Sequence, residues 1–215
     1  MIDFDNAIGV IKRIYGDTAD LPSCLVLVGG TALAAHRIRK MSEDIDFYAK
    51  SFPEQRLLEL EFELKKQYGE SFKIDATSTE NIWGQVMLRD IEDASTSIQS
   101  IDINGKELHI KALSIEDLYL LKLIANRPKD KIDLSLIAEK TNFDKLIARA
   151  NQQWQNIGNR DMVLGILDDF VNRLALDFTA EPKDIISALN VPAFYKDMLL
   201  KSHCDSDLDS DASPR

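Results

Sequence analysis

Sulfur chemistry is nearly missing from this chain. Its 215 residues include two cysteines, Cys24 in an apolar stretch and Cys204 near the tail. So distant a pair makes no disulfide framework, which leads us to expect a reducing, cytoplasmic setting. No apolar run approaches the ~20 residues that cross a bilayer, so no membrane partner is expected. The N-terminus, Met1-Ile-Asp-Phe-Asp, lacks the basic region of a signal peptide. Positive charge is also short: 26 Lys and Arg stand against 36 Asp and Glu, a net charge of −10. That balance argues against a protein that coats nucleic acid. It leaves room for a local basic surface, because Asp205, Asp207, Asp209 and Asp211 crowd the tail. There is no internal repeat and no clean linker.

What is there belongs to a globular protein, 45% hydrophobic and 29% charged. Its most informative stretch runs from Leu25 to Tyr48. Leu25 to Val28 is apolar and β-prone, Gly29-Gly30 signals a turn, and Thr31 is placed to cap a short helix over Ala32 to Ala35. Ser42 to Asp44 reopen the chain, and Asp44-Ile-Asp-Phe-Tyr alternates polar and apolar. Residues two apart in a strand point the same way, which places Asp44 and Asp46 on one face and Ile45 and Phe47 in the core. Two adjacent carboxylates repel unless a cation lies between them. Hard oxygen ligands suit Mg²⁺ or Mn²⁺, which also takes oxygens from a phosphate-bearing substrate. Glycines without a Cβ let a phosphate approach the backbone, and amides at a helix start favour an anion. Alone, an Asp-x-Asp reads as a solvated strand face. In this order, with a helix-sized gap, the two signals favour a site.

Gly29-Gly30-Thr31, a helix, then Asp44-Ile45-Asp46 resembles the signature of the polymerase-β-type nucleotidyltransferase superfamily. The Ser-Glu-Asp-Ile-Asp-Phe wording is most similar to the abortive-infection (AbiEii-like) nucleotidyltransferase toxins. The resemblance implies that Asp44 and Asp46 hold the metal, that Gly29, Gly30 and Thr31 seat the phosphates of an NTP, and that a third carboxylate lies downstream. Asp90 is the first choice, on an expected strand from Gln85 to Glu92, with Glu92 on the same face. Asp75, in Lys73-Ile-Asp-Ala, is the alternative, and Asp102 lies too near a hairpin tip. Arg37, Arg39 and Lys40 read equally as a solvated helix end or as phosphate contacts.

Further along, Phe4 to Tyr15 has helical spacing and ends at Gly16. Pro53 opens a helix to about Tyr68, with Leu57, Leu58, Leu60, Phe62 and Leu64 as a broad apolar face. Phe72 to Thr77 alternates. Ser100 to Ile110 is a hairpin turning on Asn104-Gly105. His109 is expected to be structural. Ser114 and Asp117 form a loose capping box for the next helix. In that helix Lys122 is flanked by Leu120, Leu121, Leu123 and Ile124. Composition favours a lysine that snorkels to solvent over one that meets a carboxylate or phosphate. Leu118 to Leu134 resembles the second signature of the AbiEii-like toxins, with Arg127-Pro-Lys-Asp-Lys-Ile-Asp133 matching residue by residue. By that resemblance Lys122 contacts the nucleotide phosphates, and Asp130 or Asp133 orients it or transfers a proton. The rest reads as helices over about 132–140, 143–155, 161–176, 183–189 and 192–201. Trp154 closes a packing stripe, and the last dozen residues are expected to be disordered.

The expected fold class is α+β: a small mixed β-sheet core flanked by helices over residues 1–113, a C-terminal helical bundle over 114–202, and an acidic tail over 203–215. The expected activity is metal-dependent transfer of NMP from an NTP. The toxin resemblance implies an RNA acceptor, such as the tRNA acceptor end, and a partner antitoxin. Two other readings stay open. An acidic protein suits a cationic small substrate of the aminoglycoside kind, and the uncertain third carboxylate allows a catalytically silent binding module.

Overall fold

The computed structural model describes residues 1–78, 90–157 and 160–204. Among them the chain divides into two compact units, one up to Leu118 and the other from Tyr119. No described helix is long and apolar enough to cross a membrane.

Among the described residues the first unit is built on five strands: β1 (Cys24–Leu27), β2 (Ile45–Tyr48), β3 (Ile74–Thr77), β4 (Thr96–Ile103) and β5 (Lys106–Ala112). They stand in the order β3-β2-β1-β5-β4. The sheet is mixed: β1 runs antiparallel to β2 and parallel to β5, β2 and β3 are parallel, and β4 and β5 are antiparallel. The β4–β5 hairpin turns on Asn104 and Gly105, with φ of 55° and 80°, as a type I′ turn requires.

Helices α1 (Phe4–Tyr15), α2 (Gly29–Ala35), α3 (Glu54–Tyr68) and the four-residue α4 (Ile91–Ala94) complete this unit. Asp3 caps α1 by accepting from the Asn6 amide at 2.8 Å, a bond contributing about 1 kcal/mol. Leu25, Val26, Leu27, Ile45 and Phe47 have no measurable exposure and form the centre of the core.

The second unit is helical. After α5 (Ile115–Ala125), within which the division falls, come α6 (Asp130–Ala138), α7 (Phe143–Gln153), α8 (Val163–Phe178), α9 (Pro182–Ala188) and α10 (Ala193–Cys204). The fold is thus α+β, a mixed sheet with helices followed by helices. Trp154 is half-buried after α7 and donates its indole N–H to the Asn190 carbonyl at 3.0 Å.

Three expectations need correction. Asp90 to Ala94 is a turn and a short helix, with Asp90 at its N-cap, so the expected strand does not extend to Glu92. Residues 85–89 of that strand, the turn around 81–84 and the tail over 205–215 lie outside the described residues. Thr31 is not a cap: α2 begins at Gly29 and its N-cap is Val28. The apolar face of α3 is narrower than its composition suggests. Leu57, Leu60 and Leu64 are buried, but Leu58 and Phe62 are 70% and 67% exposed. A helix turns 100° per residue, which swings those two away from the stripe centred on Leu60.

Candidate active site

The antiparallel register of β1 and β2 pairs Leu27 with Phe47, so the next residues along, Val28 and Asp46, lie opposite each other. The Val28 amide donates to the Asp46 carbonyl at 3.0 Å. The chain leaves β1 at Gly29 with a φ of 53°, a conformation a side chain strains. A Cβ built there would lie 2.6 Å from Asp46 Oδ2. The Asp46 carboxylate therefore rests on the bare Cα of Gly29. A Cβ on Gly30 would collide with the hydroxyl of Ser42, which is almost fully buried and held by paired backbone bonds with Ile2. Both glycines are there to admit a neighbouring polar group.

Thr31 is 1% exposed. Its hydroxyl donates to the Asp44 carbonyl at 3.1 Å and accepts from the Asp46 amide at 3.0 Å. It ties the helix to the backbone of both acids and so fixes where β2 begins. Asp44 lies in the bend just before β2, and its Oδ1 accepts from the Lys73 amide at 3.1 Å. Both carboxylates are half-buried. The parallel register of β2 and β3 then pairs Asp46 with Asp75, which is exposed. Residues paired in register share a face. Asp75 is thus the sheet neighbour of Asp46, while Asp90 lies off the sheet. Among the described residues, no three His, Cys, Asp or Glu side chains gather closely enough to cage a metal by themselves. A pair of carboxylates suffices where substrate phosphates and water complete the shell, as is usual for Mg²⁺. The glycine cradle and the two fixed carboxylates fit that arrangement.

The second cluster lies wholly in the helical unit. Lys122 does not snorkel: it is 7% exposed. Its Nζ lies 2.9 Å from Asp130 Oδ1 and 2.6 Å from Asp133 Oδ2. Asp130 and Asp133 are 0% and 1% exposed. Arg127, itself largely exposed, places Nε 2.6 Å from Asp130 Oδ2 and an Nη 3.2 Å from Oδ1. Burial works to raise the Asp130 carboxyl. The bonds and charges of Arg127 and Lys122 outweigh it and hold the group below its ordinary value. Two cations and two carboxylates make a neutral set. Beside it, Tyr119 donates to Asp177 at 2.8 Å and Arg173 Nε does so at 2.7 Å, while Arg173 also reaches Ser135 and the Lys131 carbonyl. Burial, then Asp177, pushes the Tyr119 hydroxyl far up.

Arg37 and Lys40 are exposed and Arg39 half-buried, in the link after α2. His109 is exposed on β5 and meets Ser100 at 2.8 Å. The Ser114 hydroxyl accepts from the Asp117 amide at 3.1 Å and donates to Asp117 Oδ2 at 2.9 Å, a looser form of the capping box. Sequence reasoning missed Ser42 and the Tyr119–Asp177–Arg173 chain. A small polar residue two before the first acid was the only local signal for Ser42, and nothing local marks a bond between residues 58 apart.

A family model described as "Nucleotidyltransferase of unknown function (DUF6036)" matches residues 6–166. That span holds both clusters. No curated protein and no solved structure matches the chain.

Proposed function

The chain belongs to this family of nucleotidyltransferases of unknown function, and from that premise we propose that it transfers NMP from an NTP to RNA with Asp44 and Asp46 as its metal ligands. An NTP substrate follows from the family. The observation that supports the metal site is the Asp46 carboxylate seated on Gly29, 2.6 Å from where a Cβ would be, while the RNA acceptor rests on the resemblance.

In this reading Gly29 and Gly30 let the triphosphate approach the backbone. Thr31 holds the backbone of Asp44 and Asp46 in place, so the carboxylates meet the substrate without reorganising. The sheet register supports Asp75 over Asp90 as the third carboxylate. Mg²⁺ or Mn²⁺, when bound, would screen the phosphate charge and lower the pKa of the attacking hydroxyl. Lys122 is carried over from the resemblance as a phosphate contact and Asp130 as a proton-transfer group. The ion pairs at 2.9 and 2.6 Å favour the version in which Asp130 and Asp133 orient the lysine. The AbiEii-like toxin role, its cognate antitoxin and a tRNA-like acceptor rest on the resemblance of the two signatures.

The test is transfer from each α-labelled NTP, with Mg²⁺ or Mn²⁺, to total cellular RNA. Label on RNA that disappears with Asp44→Ala/Asp46→Ala supports the reading. Transfer to aminoglycosides but not RNA would replace the acceptor with a small cation. No transfer to any acceptor, and no metal-dependent NTP binding, would make this a silent member of the family. Asp75→Asn should lower transfer while Asp90→Asn leaves it near wild type, and the reverse would restore Asp90 as the third ligand.

A further inference from the structure

Helix α3 carries a row of four residues at four-residue spacing: Glu54, Leu58, Phe62 and Lys66. All four are exposed, Leu58 and Phe62 by 70% and 67%. Residues at i and i+4 are neighbours on a helix, so these form one continuous ridge. The Lys66 ammonium lies 5.0 Å from the centre of the Phe62 ring, at the end of the apolar pair.

The other charges on α3 are already matched. Arg56 pairs with Glu59, Lys65 with Glu61, and Glu63 with Arg13 of α1. Among the described residues, Glu54 and Lys66 are the charges of α3 without an ion-pair partner. They are twelve residues apart, about 18 Å along the axis, too far to meet each other. The ridge therefore reads acid, apolar, apolar, base, and its remaining charges have opposite signs at opposite ends.

We propose that this ridge is a self-association face, on which two copies of the chain pair through antiparallel α3 helices about a two-fold axis. Reversing the ridge against itself sets Leu58 on Phe62 of the second copy and Glu54 on its Lys66, twice over by symmetry. Packing of i±4 ridges into each other, at a crossing angle near −50°, is the commonest helix geometry, and it brings the two rows alongside. A differently charged partner would leave one end of the ridge unmatched, whereas a second copy matches both. Leu58 and Phe62 supply the apolar centre and the charges set the direction.

Sedimentation of the full chain over a wide concentration range tests this. A concentration-dependent dimer is expected, and Phe62→Glu or Leu58→Glu should abolish it. Both positions are exposed, so circular dichroism should stay at wild-type values, and thermal melting should match that of the wild-type chain diluted to where it is monomeric. Glu54→Lys alone and Lys66→Glu alone should each weaken the dimer about tenfold, because each puts two like-charge pairs into the interface. Mixing the two single variants should restore dimers. One chain then carries a base at both ends of its ridge and the other an acid at both ends, so every end charge in the mixed pair meets its opposite. A chain that stays monomeric at every concentration overturns the proposal. So does a dimer indifferent to Phe62→Glu, or a mixture of the single variants that fails to associate.

Discussion

The two acid clusters use the same chemistry in opposite ways. Asp44 and Asp46 are placed by backbone: a strand pairing, a threonine clamp and a glycine without a side chain in the way. Asp130 and Asp133 are placed by side chains, buried against Lys122 and Arg127 in a charge-neutral set. The first arrangement leaves Asp44 and Asp46 half-buried. The second builds its carboxylates into the fold. Removing an acid from the first should therefore cost activity, and breaking the second should cost stability.

The largest expected effect is on the first cluster. Asp46→Ala should lower NMP transfer by at least about a hundredfold to a thousandfold, with a thermal midpoint close to wild type. A large drop in midpoint would break the contrast. Lys122→Met comes next. It leaves two buried carboxylates without their shared cation, and loss of one partner of a buried ion pair costs about 3–5 kcal/mol. Denaturant unfolding would read this. Adding Asp130→Asn and Asp133→Asn should recover part of the loss, which sharpens the claim that burial of charge is the cause.

Gly29→Ala should cost about 1–3 kcal/mol from the positive φ alone. It should also depress transfer, because Asp46 must move away from the new methyl group. The smallest effect concerns pH. The Asp130 carboxyl is held below its ordinary 3.8 in the folded chain. The stability it contributes is fully present above 3.8 and lost as the pH falls through the lower folded value. Equilibrium unfolding in acid should show this slope in wild type and a flatter one in Asp130→Asn.

How much of this was legible beforehand follows the same division. The hairpin at Asn104-Gly105 and the helix and strand between Gly29 and Tyr48 are local, so turn chemistry and periodicity found them, though α2 begins at Gly29 and not after a turn. The pairing of Asp46 with Asp75 is a register between distant strands, and no local pattern encodes it. Asp90 was favoured on an expected strand that gives way to α4 at that point. Thr31 looked like a helix cap, because a hydroxyl beside a helix start commonly is one. Only the folded chain brings the Asp44 carbonyl and the Asp46 amide to it. Composition alone favoured a snorkelling Lys122, whereas the resemblance over Leu118 to Leu134 offered Asp130 or Asp133 as its partner, and both meet it.

The most direct test of the central claim is Mn²⁺ binding in the presence of an NTP, followed by electron paramagnetic resonance. Wild-type protein should bind Mn²⁺ more tightly with NTP than without. Asp44→Ala/Asp46→Ala should lose that binding while keeping its fold. Undiminished NTP-dependent Mn²⁺ binding by the folded double variant would contradict the account and move the active centre away from the glycine cradle.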